Sequence, residues 1–193
     1  TIYWQARFKE EKRMNNDIER VLYSKDDINR RMDELANQLT AEYKDQRPLI
    51  VSVMTGAVLF TVDMIKRMDI MAKLDFIDVS SYYGGTSSTG KVKLVQDLKS
   101  DVRGRSILIM EDIVDTGHTL KYLIDLLKER GAKSVKVCTL LDKPEGRQVE
   151  VKADYVGFNV PNEFLVGYGL DYQGYYRNLP YVGILKPAVY EKD

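Results

Sequence analysis

The sequence predicts an α/β fold, a mainly parallel twisted sheet flanked by helices. Three observations carry this. Short apolar runs of strand length recur at 49–53, 106–110 and 134–141. Between them lie stretches with apolar residues at helical spacing, and such alternation implies parallel strands joined by crossover helices. With 44% apolar residues among 193, the chain can bury a normal core without disulfides or a structural metal.

Taken in order, Ser24-Lys-Asp-Asp27 resembles a capping box, with Asp27 in place of the usual Glu or Gln, so a helix starts there. Ile28, Met32, Leu35 and Leu39 then mark its buried face. Pro48 restrains Arg47 to extended geometry, and Leu49 to Val53 reads as a buried strand. Thr55-Gly56 breaks it, and Ala57 to Met68 reads as a second helix. Lys73 to Ser81 is a predicted strand, and Val92 and Leu94 alternate in another. Between them, Tyr83-Gly-Gly-Thr-Ser-Ser-Thr-Gly90 has almost nothing to bury, so 81–90 reads as a flexible surface loop. Ser106 to Met110 is a strand, and His118 to Arg130 a helix closed by Gly131. Ser134 to Leu141 and Tyr155 to Val160 complete the sheet. After Pro161 the pattern turns irregular and rich in tyrosine and glycine, which predicts a small hood over the carboxyl edge of the strands, formed with 161–193.

Residues 1–13 look foreign to the rest: they begin without methionine, cluster Tyr3 and Trp4, then turn charged. They are expected to be a non-native or disordered extension, with Met14 the native start and 14–193 one domain. Lysine plus arginine equals aspartate plus glutamate at 29 each, which gives no bulk attraction to nucleic acid or membrane. No apolar stretch reaches the length of a membrane span, and no signal-peptide core is visible, so a soluble, cytoplasmic protein is expected. The single cysteine, Cys138, lies in an apolar run and reads as a core thiol.

Ligands of such sheets bind beyond the carboxyl ends of the strands, which directs attention to Ile107-Leu-Ile-Met-Glu-Asp-Ile-Val-Asp-Thr-Gly-His-Thr119. A buried strand delivers Glu111 and Asp112 to that edge, and Asp115-Thr-Gly-His-Thr119 then turns into a helix N-terminus. Free backbone N–H groups there, with the Thr116 and Thr119 hydroxyls, suit a phosphate monoester, and Gly117 lets the backbone approach. The adjacent acids suit ribose hydroxyls or magnesium. Capping explains each acid singly. It does not explain three acids together with Thr-Gly-x-Thr.

This segment resembles the phosphoribosyl-diphosphate signature of the type I phosphoribosyltransferases. Ser81-Tyr82 opening the loop, Leu140-Leu-Asp-Lys143, Tyr155-Val-Gly-Phe158, Pro161 to Tyr168, Leu170-Asp-Tyr172 and Arg177 narrow the resemblance to the hypoxanthine–guanine branch. It runs from about Ile18 to Lys186.

The resemblance implies a magnesium-dependent transfer of the 5-phosphoribosyl group from phosphoribosyl diphosphate to hypoxanthine or guanine, giving IMP or GMP in purine salvage. Asp115 would be the general base at purine N7. Glu111 and Asp112 would bind ribose hydroxyls directly or through magnesium, and Asp115, Thr116, Gly117, His118 and Thr119 would hold the 5′-phosphate. Thr55 and Gly56 would meet the diphosphate through their backbone, Arg177 would pair with it, and Asp171, grouped with the purine-binding residues, would bind a second magnesium with the diphosphate. Lys143 would donate to the oxygen on purine C6, Phe164 would stack on the base and the Leu165 backbone would meet its edge. Ser81 and Tyr82 would close over the site.

Each of three residues also has a plainer reading: Lys143 as a solvated turn, Phe164 as core, Arg177 as a partner of Asp171 alone. Thr55 and His118 replace residues that are commonly basic (His118 also a frequent Gln), so no basic side chain carries over at Thr55. A cis peptide bond is expected at Met54–Thr55, and a homodimer or homotetramer by resemblance. The rival readings are a xanthine-preferring relative and an RNA-binding regulator on the same fold.

Overall fold

The computed structural model describes residues 15–81 and 92–191. The extension 1–13 and the loop from Tyr82 to Gly90 lie outside them. Among the described residues there are two compact units, divided between Asn29 and Arg30 and between Asn162 and Glu163.

The larger unit is built on a six-stranded sheet in the order β4-β3-β2-β5-β6-β7. These strands are β2 (Leu49–Met54), β3 (Lys73–Ser81), β4 (Val92–Gln96), β5 (Ser106–Val114), β6 (Ser134–Asp142) and β7 (Tyr155–Asn159). All pairings are parallel except that of β4 with β3. Parallel strands covered on both faces are apolar nearly throughout. The centre obeys this: Leu49 to Val51, Ile107 to Met110 and Val137 to Leu141 are buried without a break. One face packs on α3 (His118–Glu129) through Leu120, Leu123 and Leu127, which meet Val51, Ile107, Ile109 and Val137 in one core. Each such leucine contributes roughly 1.5–3 kcal/mol by leaving water. Gly131 ends α3 with φ 84°, where the Ala132 N–H reaches back to the Leu127 carbonyl at 3.1 Å.

Helix α1 (Lys25–Tyr43) starts on the predicted box. The Ser24 N–H donates to Asp27 Oδ2 at 3.1 Å, and the Asp27 N–H returns to Ser24 Oγ at 3.2 Å. Ile28, Met32, Leu35, Ala36, Leu39 and Tyr43 form its buried stripe. Further along, Arg31 donates to the Gly157 and Val156 carbonyls of β7 at 2.9 and 2.8 Å. Near its end, Glu42 accepts from Tyr155 and Lys136, which holds its carboxyl below the ordinary glutamate value.

Helix α2 (Val58–Ile65) is shorter than the predicted 57–68. Past Ile65 the bonds loosen, and Arg67 N–H takes the Met64 carbonyl at 2.9 Å in a turn. Cys138 is fully buried as expected, and burial pushes its thiol up, away from reactivity. Among the described residues no helix is long and apolar enough to cross a membrane.

The smaller unit holds an antiparallel sheet, β1-β9-β8. Its strands are β1 (Ile18–Tyr23), β8 (Leu165–Val166) and β9 (Val182–Leu185). The sequence reading carried no strand at 18–23. A short α4 (Pro187–Tyr190) follows β9. Ile18, Val166, Leu179 and Leu185 make a small separate core, with Tyr172, Tyr176, Tyr181 and Tyr190 packed against it.

One buried acid fastens the sheet's antiparallel edge. Asp75 is 6% exposed and accepts the N–H groups of Ser100 (2.7 Å), Phe76 (2.8 Å) and Lys99 (3.0 Å). Desolvation alone pushes its carboxyl up, but these bonds together outweigh it and hold the group below its ordinary value. Asp75→Asn is therefore expected to lower stability at neutral pH by roughly 1–3 kcal/mol. Because the folded pKa is depressed, the contribution is present above the unfolded value and fades as pH falls through the folded one. Urea denaturation of both proteins from neutral pH down to about pH 3 should show the gap closing. A constant gap would exclude the charge as its source.

Candidate active site

β5 runs on to Val114 instead of ending at Met110, so Glu111 and Asp112 belong to the strand rather than to the loop beyond it. The backbone explains why. Pairing with β6 continues through Glu111↔Thr139, Ile113↔Leu141 and Val114↔Asp142, which holds two poor strand formers in extended geometry. Glu111 is thereby 6% exposed. Burial, reinforced by the neighbouring Asp112 charge, pushes its carboxyl well above the ordinary glutamate range.

Asp112 points to the turn after β2. A Cβ on Gly56 would fall 1.7 Å from Asp112 Oδ2, so the absent side chain of Gly56 is the space that carboxylate fills. Its other oxygen accepts the Ile113 N–H at 2.8 Å. The Met54–Thr55 bond is cis, as expected, and Thr55 is exposed.

The turn 115–117 leads into α3 through Gly117, whose φ of 87° only glycine adopts readily. Gly117, the residue at the N-cap position, makes no side-chain cap hydrogen bond. Asp115 lies half exposed, and its Oδ2 meets Lys143 Nζ at 3.1 Å. Lys143 is no solvated turn residue. It is 8% exposed, and its N–H is tied to the Val114 carbonyl at 3.0 Å. Gly146 gives Asp115 its room: a Cβ there would fall 2.1 Å from Asp115 Oδ1. His118 Nε2 lies 3.1 Å from Gln148 Oε1. Thr116 and Thr119 are partly exposed on the same turn.

In the smaller unit, Phe164 is 36% exposed and so is not core. One face of its ring stacks on Tyr190 (4.8 Å between centroids, 22° between planes), and Tyr172 meets it edge-on. Leu165 is buried in β8 opposite Ile184. Arg177 takes the plainer partner, with Nη2 at 2.7 Å from Asp171 Oδ1 and Nη1 on the Gly169 carbonyl at 2.5 Å. Asp171 also accepts the Gly174 N–H at 2.7 Å.

Within the larger unit the structure thus brings together Gly56 with Asp112, and Asp115 with Lys143. Tyr82 is outside the described residues, and Ser81 ends β3. Sequence reasoning missed Asp142, Gly146 and Arg147. The available signal was an arginine five residues after an acid in the turn beyond a strand, flanking a lysine already singled out.

Sheet order, acid-ended strand and glycine turn into a helix define a phosphoribosyl-binding enzyme class, and comparison bears this out. Residues 22–173 match the phosphoribosyl transferase domain family. The hypoxanthine-guanine phosphoribosyltransferase of Bacillus subtilis is 55% identical over 92% of this chain and 99% of its own. The bifunctional protein TilS/HprT of Listeria monocytogenes is 57% identical over 93% of this chain, which spans 28% of that longer relative. A crystal structure of a hypoxanthine phosphoribosyltransferase from Staphylococcus aureus superimposes with TM-score 0.88 at 48% identity, over 92% of this chain and 96% of that one. The chain belongs to the phosphoribosyltransferase family. Its relatives place it in the hypoxanthine–guanine branch.

The two glycines yield a separate prediction. Neither Gly56 nor Gly146 has a positive φ, and each added methyl meets the end of a carboxylate side chain rather than backbone. Gly56→Ala and Gly146→Ala should therefore fold, with thermal midpoints within about 5 °C of the parent, since a side-chain tip yields at a cost near ~1 kcal/mol. Their phosphoribosyl transfer should fall by about tenfold or more as Asp112 or Asp115 is displaced. Full activity in either would show that those carboxylate positions do not matter.

Proposed function

We propose that this protein transfers the 5-phosphoribosyl group of phosphoribosyl diphosphate to hypoxanthine or guanine, releasing diphosphate and forming IMP or GMP. The observation that carries the reading is the pair Asp115–Lys143: a carboxylate and a nearly buried ammonium at the ends of neighbouring strands, beside an uncapped glycine turn.

In the reaction a purine nitrogen attacks the anomeric carbon while its bond to the diphosphate oxygen breaks. The purine N–H proton passes to Asp115, the general base at N7. Lys143 carries three N–H donors, so it can keep Asp115 oriented and still donate to the oxygen on C6. An adenine amino group would set donor against donor there and leave both unpaired. The phosphate seat is the turn of Asp115, Thr116, Gly117, His118 and Thr119, through backbone N–H and hydroxyl groups. Thr55 and Gly56 face the diphosphate, and Arg177 is the guanidinium assigned to that anion. Phe164 offers the base its ring, backed by Tyr190, and the Leu165 backbone meets the purine edge.

The metal fits the donors present. Glu111, Asp112 and Asp171 are hard carboxylate oxygens, and no group of three or more metal-ligating side chains clusters among the described residues. Magnesium held by one or two carboxylates and completed by substrate oxygens needs no more. When bound, it neutralises charge on the departing diphosphate. Glu111, reluctant to ionise, is equally suited to a hydrogen bond with a ribose hydroxyl. The assembly is a homodimer or homotetramer in the cytoplasm.

The test is turnover with hypoxanthine, guanine, xanthine, adenine and uracil in parallel, with magnesium and after its chelation. Hypoxanthine or guanine should react, adenine should not, and chelation should stop the reaction. Asp115→Asn should lower kcat by about a hundredfold or more. Lys143→Gln should cut the hypoxanthine-to-adenine ratio by about tenfold or more. Xanthine as the preferred base would overturn the specificity. Turnover of none, with phosphoribosyl diphosphate still bound, would replace the enzyme with a regulator.

A further inference from the structure

The segment after Lys143 doubles back over the turn that leads into α3. Three consecutive carbonyls of β5 and that turn are taken by it. The Lys143 N–H holds Val114 O at 3.0 Å, the Gln148 N–H holds Thr116 O at 2.9 Å, and between them Arg147 Nη1 holds Asp115 O at 2.6 Å. The Val149 N–H shares the Thr116 carbonyl at 3.4 Å.

A peptide unit is planar and trans, so its N–H points opposite to its C=O. With these carbonyls drawn to the strap, the N–H groups of Asp115, Thr116 and Gly117 are turned to the other side. Successive N–H groups aimed one way form an anion-binding nest. The strap also packs tightly on the turn. A Cβ on Gly117 would fall 2.7 Å from Val151 Cγ1, 3.0 Å from Arg147 Cδ and 3.1 Å from Val149 Cγ2.

Of these links to the three carbonyls, that of Arg147 is the one made by a side chain. Its second arm, Nη2, binds the Asp142 carboxylate at the end of β6, and the two side chains are 16% and 18% exposed. A shielded, charge-assisted pair of this kind is stronger than a surface one. The planar guanidinium holds the carbonyl and the carboxylate on two separate nitrogens at a fixed angle, whereas a lysine ammonium is a point charge on a flexible stem. We propose that Arg147, anchored on Asp142, is a positioning residue that sets the direction of the Asp115–Thr116 peptide and so preorganises the phosphate seat. This rests on the reading of 115–119 as that seat.

The experiment compares Arg147→Met, which keeps the apolar stem, with the parent in KM for phosphoribosyl diphosphate and for hypoxanthine, alongside thermal melting. The KM for phosphoribosyl diphosphate is expected to rise by about tenfold or more, the loss that follows removal of a charge-assisted bond. The KM for hypoxanthine should move by less than about threefold, because Lys143 keeps its own backbone tie. If Arg147→Met does not fold, Asp142→Asn reads the same split, with a smaller shift in the same direction. A folded variant whose two KM values are unchanged, or rise together, overturns the proposal. Thr119→Val, run in parallel, separates the two readings. If it raises the KM for phosphoribosyl diphosphate while Arg147→Met does not, the positioning role alone fails. If it too has no effect, the turn is not the phosphate seat and both readings fail.

Discussion

A strand paired on both sides carries a carboxyl group into a place where water does not reach, and the larger unit is arranged around that constraint. β5 is held by β2 through Ser52↔Met110 and by β6 through Val114↔Asp142. Glu111 itself is paired with Thr139 of β6, so turning it toward solvent would disrupt that ladder. The cost of the buried charge appears as a carboxyl that resists ionisation. Asp112, one residue on, fills the space at Gly56 and accepts a backbone N–H.

The turn beyond them uses a different economy. Its orientation comes from carbonyls that the β6–β7 connection takes up, and its freedom from two positions without side chains, Gly117 and Gly146. Asp115 and Lys143 meet because β5 and β6 are parallel neighbours in register, so that their carboxyl ends finish side by side. The aromatic unit is organised separately. Tyrosines surround a core of few aliphatic residues, and Tyr176 Oη donates to Asp17 at 2.8 Å.

Much of this could be read from the residues. Continuous apolar runs marked the buried parallel strands, and the Ser24–Asp27 box and Gly131 marked helix ends, because those signals are local. What escaped was non-local. β1, Ile-Glu-Arg-Val-Leu-Tyr, has no clean alternation and becomes a strand by pairing with β9 at the far end of the chain. The extension of β5 through Glu111 and Asp112 depends on a neighbour strand, against the propensity of both acids. The types of the site residues were legible in Glu-Asp and Asp-Thr-Gly-x-Thr. Arg147 was not, since its meaning lies in two partners, Asp115 O and Asp142, that only folding brings within reach.

The edge of the six-stranded sheet has a consequence for the protein in a crowded solution. β7 is an outermost strand, and the unpaired backbone of such a strand invites a strand from another molecule. Arg31 already occupies the carbonyls of Val156 and Gly157, and it is itself held by Glu34 at 2.5 Å. A residue that braces helix against sheet thereby also takes up backbone acceptors of an outermost strand, which another chain would then have to displace.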